Sequence, residues 1–244
     1  MESTQTKRRI ERVRHELKRR EVTVVNVQAL KEDFISVTFA SEDLRDFPSA
    51  SFDDHVKLII PTSYGDEIRR DFTPRSFDTK AGLLTLEFAL HGHGPACDWA
   101  RKAAVGQRAA IAGPRGSMIV PMDYRSYVLA GDASALPAIK RRLAELPRGA
   151  RVIVALLSKA RMDIKELPTQ ASINLHQSPV EEDWLTCQRD LPPAGEDCFA
   201  WCATEATLAA RVRKLWFEDL AFAREHSKIS AYWKQGSADF HEQT

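Results

Sequence analysis

The segment at residues 70–77, RDFTPRSF, places side chains that can bind an anion beside an aromatic ring. Side chains alternate along an extended strand, so Arg70 and Phe72 share one face while Asp71 and Thr73 share the other. A guanidinium group can hold a phosphate bidentately, an aromatic ring can lie along a flat ring system, and a hydroxyl can bond the edge of that ring. The pattern favours a flat anionic ligand, although a surface strand with two solvated arginines would carry the same residues.

A second candidate segment, LHGHGPACDWA, follows an alternating strand pattern. Gly92 and Gly94 allow the backbone to approach a ligand closely, and Pro95 suits the first position of a helix. A strand, a glycine turn and a helix start together form an anion site suited to a pyrophosphate. His91 and His93 could instead bind a metal ion, but no third ligand is near in the sequence, so we predict no metal site. The two segments together predict one dinucleotide held from both sides.

The composition limits the classes of partner. The chain has 244 residues with 35 basic and 34 acidic side chains, which predicts one or two domains and no bulk attraction to nucleic acid or to a membrane. It contains no apolar run of membrane-spanning length and no apolar core of a secretion signal. Its four cysteines lack CxxC spacing, which is typical of reduced thiols in the cytoplasm. We therefore expect a cytoplasmic monomer.

The hydrophobic pattern divides the chain into three parts. Residues 7–20 are basic and compatible with a helix, so we predict a solvated, partly frayed helix there, within a basic N-terminal segment at residues 1–20. About six short strands with a period of two occupy residues 21–123, interrupted by one helix from Pro95 to Ala104, which predicts an antiparallel barrel. Residues 124–244 alternate strands and helices, which predicts an α/β domain with a parallel sheet.

The predicted parallel sheet should bind a ligand in a crevice at the carboxyl ends of its strands. Asp132 stands at one such end, and Thr204 and Glu205 stand at another. The segment has no GxGxxG motif, so an ordinary Rossmann dinucleotide site is not expected. The predicted strands and helices of this region are strands 127–130, 151–157, 172–175 and 199–203, and helices 134–146 and 205–222.

Five motifs in this order resemble the siderophore-interacting proteins, which are FAD-dependent ferric-siderophore reductases of the ferredoxin-reductase superfamily. They are the two segments above, GPRGS at 113–117, LAGDASALPAI at 129–139 and AYWKQG at 231–236. The resemblance runs from about Val22 to Ala238. It implies a six-stranded Greek-key barrel that binds FAD, followed by an α/β domain of the NAD(P)H-binding type. This chain differs from the family pattern at Phe72, where tyrosine is usual, at Cys97, at residues 133–134 and at Thr204.

The resemblance also implies roles for individual residues. Arg70 and Arg75 would lie near the phosphates and ribityl chain of the flavin, with Phe72 against its ring system and Thr73 at the ring edge. The full set expected to bind a cofactor is Arg70, Phe72, Thr73, Arg75, His91, Gly92, Gly94, Pro95, Ala96, Cys97, Trp99, Asp132, Thr204 and Glu205.

Three basic residues are expected to attract the substrate, a ferric siderophore, without taking part in bond-making. They are Lys57, Arg115 and Lys228. Without the resemblance, Lys57 would be interpreted as a strand-edge lysine that extends its ammonium into water, and Lys228 as an ordinary surface lysine.

The sequence leaves the electron donor open among NADPH, NADH and reduced ferredoxin. Arg141 and Arg142, with Arg211, Arg213 and Lys214, could form a phosphate pocket or a docking face for ferredoxin, or merely keep the surface soluble. Two other functions also stay open. One is a general flavin NAD(P)H oxidoreductase, and the other is a non-catalytic protein that binds a flavin or a siderophore.

Overall fold

The computed structural model describes residues 9–31, 34–62, 65–90, 94–160, 162, 167, 169–237 and 240. These residues form a seven-stranded antiparallel sheet, a five-stranded parallel sheet and a two-stranded ribbon. Among them, no helix has both the length and the apolar character needed to cross a membrane.

The ribbon and the antiparallel sheet make up the first half of the chain. In chain order the elements are β1 (Glu11–Arg14), β2 (Arg19–Leu30), β3 (Phe34–Ala40), β4 (Val56–Pro61), β5 (Glu67–Phe72), β6 (Ser76–Asp78), β7 (Leu83–Ala89), α1 (Pro95–Arg101), β8 (Arg108–Ala112) and β9 (Gly116–Ile119). The seven-stranded sheet has the order β5-β4-β8-β2-β3-β7-β6. Its two end strands, β5 and β6, are separated by only three residues of the chain, so the sheet curls round into a barrel.

The barrel interior follows from the strand alternation. Inward side chains from strands on all sides form one cluster, and α1 lies against it through Trp99 and Ala100. The fully buried members include Val24, Val37, Phe39, Leu58, Ile111, Leu84 and Leu86, each at 0 % exposure. The predicted antiparallel barrel is confirmed. Pairing of β5 ends at Phe72, two residues before a proline that cannot donate a ladder hydrogen bond.

The predicted N-terminal helix is wrong. Residues 11–14 form β1, which pairs antiparallel with β9, and β2 begins at Arg19. All four side chains of β1 are exposed, so no apolar period marks the strand in the sequence. The positive charges are not merely solvated either. Lys18 Nζ lies 2.6 Å and Arg20 Nη2 lies 2.9 Å from carboxylate oxygens of Asp46, and Arg20 is only 2 % exposed.

The second half of the chain builds the parallel sheet. Its elements are β10 (Ser126–Asp132), α2 (Leu136–Glu145), β11 (Arg151–Leu157), β12 (Ser172–Ser178), α3 (Glu181–Cys187), β13 (Cys198–Glu205), α4 (Ala206–Lys214) and β14 (Ser227–Trp233). The strands are all parallel, in the order β12-β11-β10-β13-β14. The predicted parallel α/β sheet is confirmed. Because the strand order reverses between β10 and β13, their carboxyl ends border a crevice.

Two buried arginines on α2 hold the two halves together. Arg141 Nη1 donates to Ser49 Oγ at 2.7 Å and to the Pro74 carbonyl at 3.1 Å, and Arg142 Nη2 donates to the Pro121 carbonyl at 3.0 Å. Arg141 is 6 % and Arg142 2 % exposed. Both guanidinium groups are therefore buried at the contact between the two halves and do not form an exposed docking face, which corrects that expectation, while a part in a phosphate pocket stays a prediction.

Candidate functional site

Strand β5 carries an aromatic side chain, Phe72, that packs against other aromatic rings. Exposure alternates along β5, so Arg70 and Phe72 are half-buried while Asp71 between them is exposed. The Phe72 ring centroid lies 4.4 Å from that of Phe88, which in turn lies 5.7 Å from that of Trp99. Contacts of this kind fix the orientation of aromatic side chains. The Phe72 ring is thus held at the surface of the barrel core.

The side-chain hydroxyl groups of Thr73, the residue after Phe72, and of Tyr232 form a buried pair. Thr73 is 7 % exposed and lies beside the phenol of Tyr232 on β14. Burial raises the pKa of Tyr232 well above its usual value, and the charge of Asp53 raises it further. The Tyr232 hydroxyl is buried and has no hydrogen-bond partner in the described part of the chain. A buried polar atom without a partner is costly, and such an atom commonly marks a place where a ligand or water bonds.

The start of α1 leaves room at Gly94 as far as the described residues go. Gly94 precedes the helix without a side-chain cap, and a Cβ placed on it would meet no atom of those residues within 4 Å. The Cys97 thiol donates to the Ala89 carbonyl at 3.4 Å, and burial raises its pKa, so it is a neutral thiol turned toward the barrel. Trp99 stacks on Phe39 with ring centroids 6.2 Å apart. Residues 91–93, including His91 and Gly92, lie outside the described residues.

The three predicted substrate residues each lie in, or in a segment that contacts, residues 53–57. Lys57 faces Asp71 across the β4–β5 ladder, with Nζ 2.9 and 3.0 Å from the two carboxylate oxygens. Lys228 Nζ lies 2.7 Å from Asp53 Oδ2. Arg115 is exposed in the turn that begins at Gly113, whose Cβ position is 3.7 Å from the His55 carbonyl oxygen. Neither lysine is an ordinary solvated surface lysine, since each is held by a carboxylate.

Asp53 is a buried carboxylate that binds the ammonium group of Lys228. Its side chain is 2 % exposed and accepts hydrogen bonds from Lys228, from Trp201 Nε1 at 3.2 Å and from Ser51 Oγ at 3.0 Å. Burial alone would raise the pKa of Asp53, but the charge of Lys228 and these hydrogen bonds outweigh burial and hold the pKa below its ordinary value. Sequence reasoning missed Asp53 as a partner of Lys228, because the two are 175 positions apart and no local pattern joins them.

Arg75 lies in a different set of contacts from Arg70. The Arg75 Nε atom is 3.3 Å from Glu87 Oε1, and Lys140 Nζ on α2 is 3.3 Å from Glu87 Oε2. Arg70 Nη1 donates to the Arg69 carbonyl at 2.7 Å. The structure therefore groups Arg75 with the contact between the barrel and α2, and Arg70 with the β5 surface.

The crevice residues predicted from the sequence do come together. Asp132 Oδ2 accepts from Thr204 Oγ1 at 2.9 Å, from the Glu205 backbone N–H at 3.0 Å and from Trp233 Nε1 at 2.9 Å. Asp132 Oδ1 accepts from the backbone and hydroxyl of Ser134. The Glu205 side chain caps the first turn of α4. These carboxylates are therefore occupied by bonds within the chain.

An antiparallel barrel joined to a parallel α/β sheet, with Phe72 half-buried at the surface of the barrel core and two lysines bonded to carboxylates, defines a two-domain class of protein. The family models place it more narrowly. A siderophore-interacting FAD-binding domain matches residues 23–69 and 64–118, and a siderophore-interacting protein domain matches residues 124–236. The chain belongs to the siderophore-interacting protein family.

Individual relatives agree over nearly the whole length. An NADPH-dependent ferric-chelate reductase of Escherichia coli is 28% identical over 93% of this chain and 98% of that protein. The ferric vibriobactin reductase ViuB of Vibrio cholerae is 26% identical over 90% of this chain and 91% of that protein. The crystal structure of a siderophore utilization protein from T. fusca is 28% identical, with a TM-score of 0.83, over 95% of this chain and 98% of that one.

Proposed function

We propose that this protein is a flavin-dependent reductase that transfers electrons to the iron of ferric siderophores and so releases Fe²⁺. The observation that carries the proposal is the pairing of two cations with carboxylates near Phe72 and Tyr232. Lys57 bonds Asp71, the neighbour of Phe72, and Lys228 bonds Asp53, which lies beside Tyr232. Membership of the family and the names of the two enzyme relatives support the same function.

FAD is the proposed cofactor. The residues present fit it, because the open start of α1 suits an anionic diphosphate and the unpartnered Tyr232 hydroxyl suits a polar ring edge. Phe72, backed by Phe88, would lie against the ring system, and Thr73 would bond its edge. When bound, FAD supplies the step between a two-electron donor and a one-electron metal acceptor. The other cofactor residues named from the sequence, including Arg75, His91 and Gly92, remain part of this proposal.

The proposed work of Lys57, Arg115 and Lys228 is to concentrate an anionic iron complex beside the flavin. Siderophores bind Fe³⁺ through hard anionic oxygens. Reduction removes one positive charge from the metal, which weakens its Coulomb attraction to those oxygens and favours release. None of the three cations has a bond to make or break in this step.

For the electron donor we propose NADPH, with NADH and reduced ferredoxin as the alternatives to be tested. Support comes from the similarity to the NADPH-dependent ferric-chelate reductase of Escherichia coli and from the crevice between the ends of β10 and β13, where an α/β sheet commonly binds nucleotides. We also propose that the protein works in the cytoplasm as a monomer. All four cysteines are free thiols, as expected of a reducing compartment.

The absorbance spectrum of the purified protein tests the function. We expect FAD bands that bleach anaerobically on addition of NADPH and return when a ferric siderophore is added. A Phe72→Ala variant should bind FAD more weakly, while Phe72→Tyr retains the ring and should bind it normally. Bands that no donor bleaches would make the protein a flavin carrier, and faster return with quinones than with ferric complexes would make it a general oxidoreductase.

A further inference from the structure

Two of the three cations proposed to attract the substrate are already bonded to carboxylates. Lys57 Nζ lies 2.9 Å from Asp71 Oδ1, and Lys228 Nζ lies 2.7 Å from Asp53 Oδ2. The carboxylates differ in burial, since the side chain of Asp71 is 29% exposed and that of Asp53 2%. The neighbouring Asp54 has other partners, since its Oδ2 accepts from Ser117 Oγ at 2.7 Å and from Ser49 Oγ at 2.9 Å. The two acids that contact the cations are therefore Asp53 and Asp71.

Such pairing changes what the site attracts. A bound anion would feel the repulsion of each carboxylate at nearly the distance at which it feels the attraction of the lysine, so the two contributions largely cancel. The two lysines and their two carboxylates together carry no net charge, so any net positive charge that they share with Arg115 comes from Arg115. A trianionic iron complex should gain far less there than beside three uncompensated cations, while a neutral complex should lose nothing.

We propose that Asp53 and Asp71 are specificity-determining residues, which lower the positive charge around Lys57 and Lys228 so that ferric complexes of low net charge compete with highly anionic ones. The inference rests on the proposed function, because it assumes that the lysines face the iron complex. It names the substrate class as ferric complexes that are neutral or weakly anionic, such as tris-hydroxamates, as well as anionic tris-catecholates.

The alternative is that both carboxylates only hold the lysines in place. The two roles differ in one measurable respect. A purely positioning acid affects binding of all complexes alike, whereas a charge-setting acid affects only charged ones, and more strongly at low salt.

The test compares two redox-inert gallium(III) complexes with the FAD-loaded protein by calorimetry at low ionic strength. One is the trianionic complex of a tripodal tris-catecholate, and the other is the neutral complex of a tripodal tris-hydroxamate. Asp71→Asn keeps the size of the side chain and removes its charge at a half-exposed position. Glu182→Gln is the matched control, because Glu182 pairs with Arg211 at 2.6 Å between α3 and α4, outside the proposed site.

We expect Asp71→Asn to tighten the trianionic complex by about three- to tenfold and to leave the neutral complex within about twofold. Asp53→Asn, where it folds, should shift the ratio of the two dissociation constants in the same direction, and Glu182→Gln should leave the ratio unchanged. A ratio that Asp71→Asn does not change, or a change of equal size for both complexes, overturns the inference.

Lys57→Gln and Lys228→Gln separate this result from the proposed function. If both lysine variants weaken the trianionic complex while Asp71→Asn leaves the ratio alone, the inference about charge fails and the proposed substrate site stands. If neither lysine variant changes the affinity, the proposed substrate site itself fails, and the inference fails with it.

Discussion

Two buried aspartates in this molecule each accept an indole N–H, yet they sit in opposite electrostatic settings. Asp53, beside the barrel, accepts from Trp201 and also binds the ammonium of Lys228 at 2.7 Å. Asp132, at the end of β10, accepts from Trp233 and otherwise from the neutral donors of Ser134, Thr204 and Glu205. The first aspartate holds a cation in a site, and the second fastens three segments of the chain to one another.

The difference shows that a carboxylate in an α/β crevice, where ligands usually bind, can have a structural role, while a carboxylate in a loop outside that crevice binds a cation. Carboxyl ends of parallel strands are where ligands usually bind, so Asp132 is the residue that general rules single out. Its hydrogen-bonding capacity is nevertheless filled from within the chain. Asp53 lies in a loop before β4, and its importance comes from partners on β13 and β14.

The largest effect is expected where β10 and β13 pack most closely. A Cβ on Gly131 would lie 2.4 Å from Ala135 Cβ and 2.4 Å from the Ala203 carbonyl oxygen, which real structures do not tolerate. We therefore expect Gly131→Ala to lower the free energy of unfolding by about 3 kcal/mol in urea titrations. Gly195→Ala is the control, because open space surrounds its Cβ position, and it should stay within about 0.5 kcal/mol of the native protein. Equal losses for both would contradict the close packing of the crevice.

Replacing Asp53 should have a smaller effect on the free energy of unfolding, and that effect should depend on pH. Asp53→Asn should lower the free energy of unfolding by about 2 kcal/mol near neutral pH, because Lys228 loses its charged partner. The folded pKa of Asp53 lies below the ordinary value of 3.8, so the charge stabilises the fold above about pH 4 and the contribution is lost as the pH falls through the folded value.

Urea titrations at several pH values check this sign. The difference in free energy of unfolding between the native protein and Asp53→Asn should become smaller in acid. At neutral pH the cost of Asp53→Asn should also be smaller in a protein that already carries Lys228→Gln, with a coupling energy of about 1 kcal/mol between the two positions. A gap that stays constant with pH and with the residue at position 228 would mean that Asp53 acts only through its neutral hydrogen bonds.

The smallest effect on the free energy of unfolding is expected at Trp233, whose indole bonds Asp132. Trp233→Phe keeps an aromatic ring but removes the N–H that Asp132 Oδ2 accepts at 2.9 Å. Trp233 is 37% exposed, so the loss should be about 0.5–1 kcal/mol in the free energy of unfolding, measured by thermal denaturation. Thr204→Val, which removes a fully buried donor to the same oxygen, should cost more. The reverse order would contradict the view that Thr204 is the better-buried partner.

The sequence predicted the two sheets well because both have strong hydrophobic periods. Strand β1 was hidden for the opposite reason, since all four of its side chains are exposed and its pairing with β9 depends only on backbone groups. Strand β14 was also missed as a strand, because only Ala231 of its seven residues is buried. Helix α4 is shorter than predicted, as the chain continues through a π-helical turn at Leu215–Asp219.

The basic residues of the candidate site could be predicted from the sequence, but the acidic residues that pair with them could not. Lys57 and Asp71 face each other only because the hairpin register of β4 and β5 places them so, and that register depends on the length of the connecting turn. Lys228 and Asp53 meet through the parallel pairing of β13 with β14 and the packing of Trp201, which no local pattern encodes. Side chains that act through long-range contacts become visible only when the chain is folded.

The proposed function requires that Lys57, Arg115 and Lys228 serve the iron complex and not the flavin. This can be measured as the KM of a trianionic ferric complex for the triple variant Lys57→Gln, Arg115→Gln and Lys228→Gln, together with FAD content. We predict a rise in KM of about 100- to 200-fold, from about 1 kcal/mol per cation, with FAD content unchanged. An unchanged KM, or a loss of FAD equal to the loss of activity, would show that these cations do not serve the iron complex.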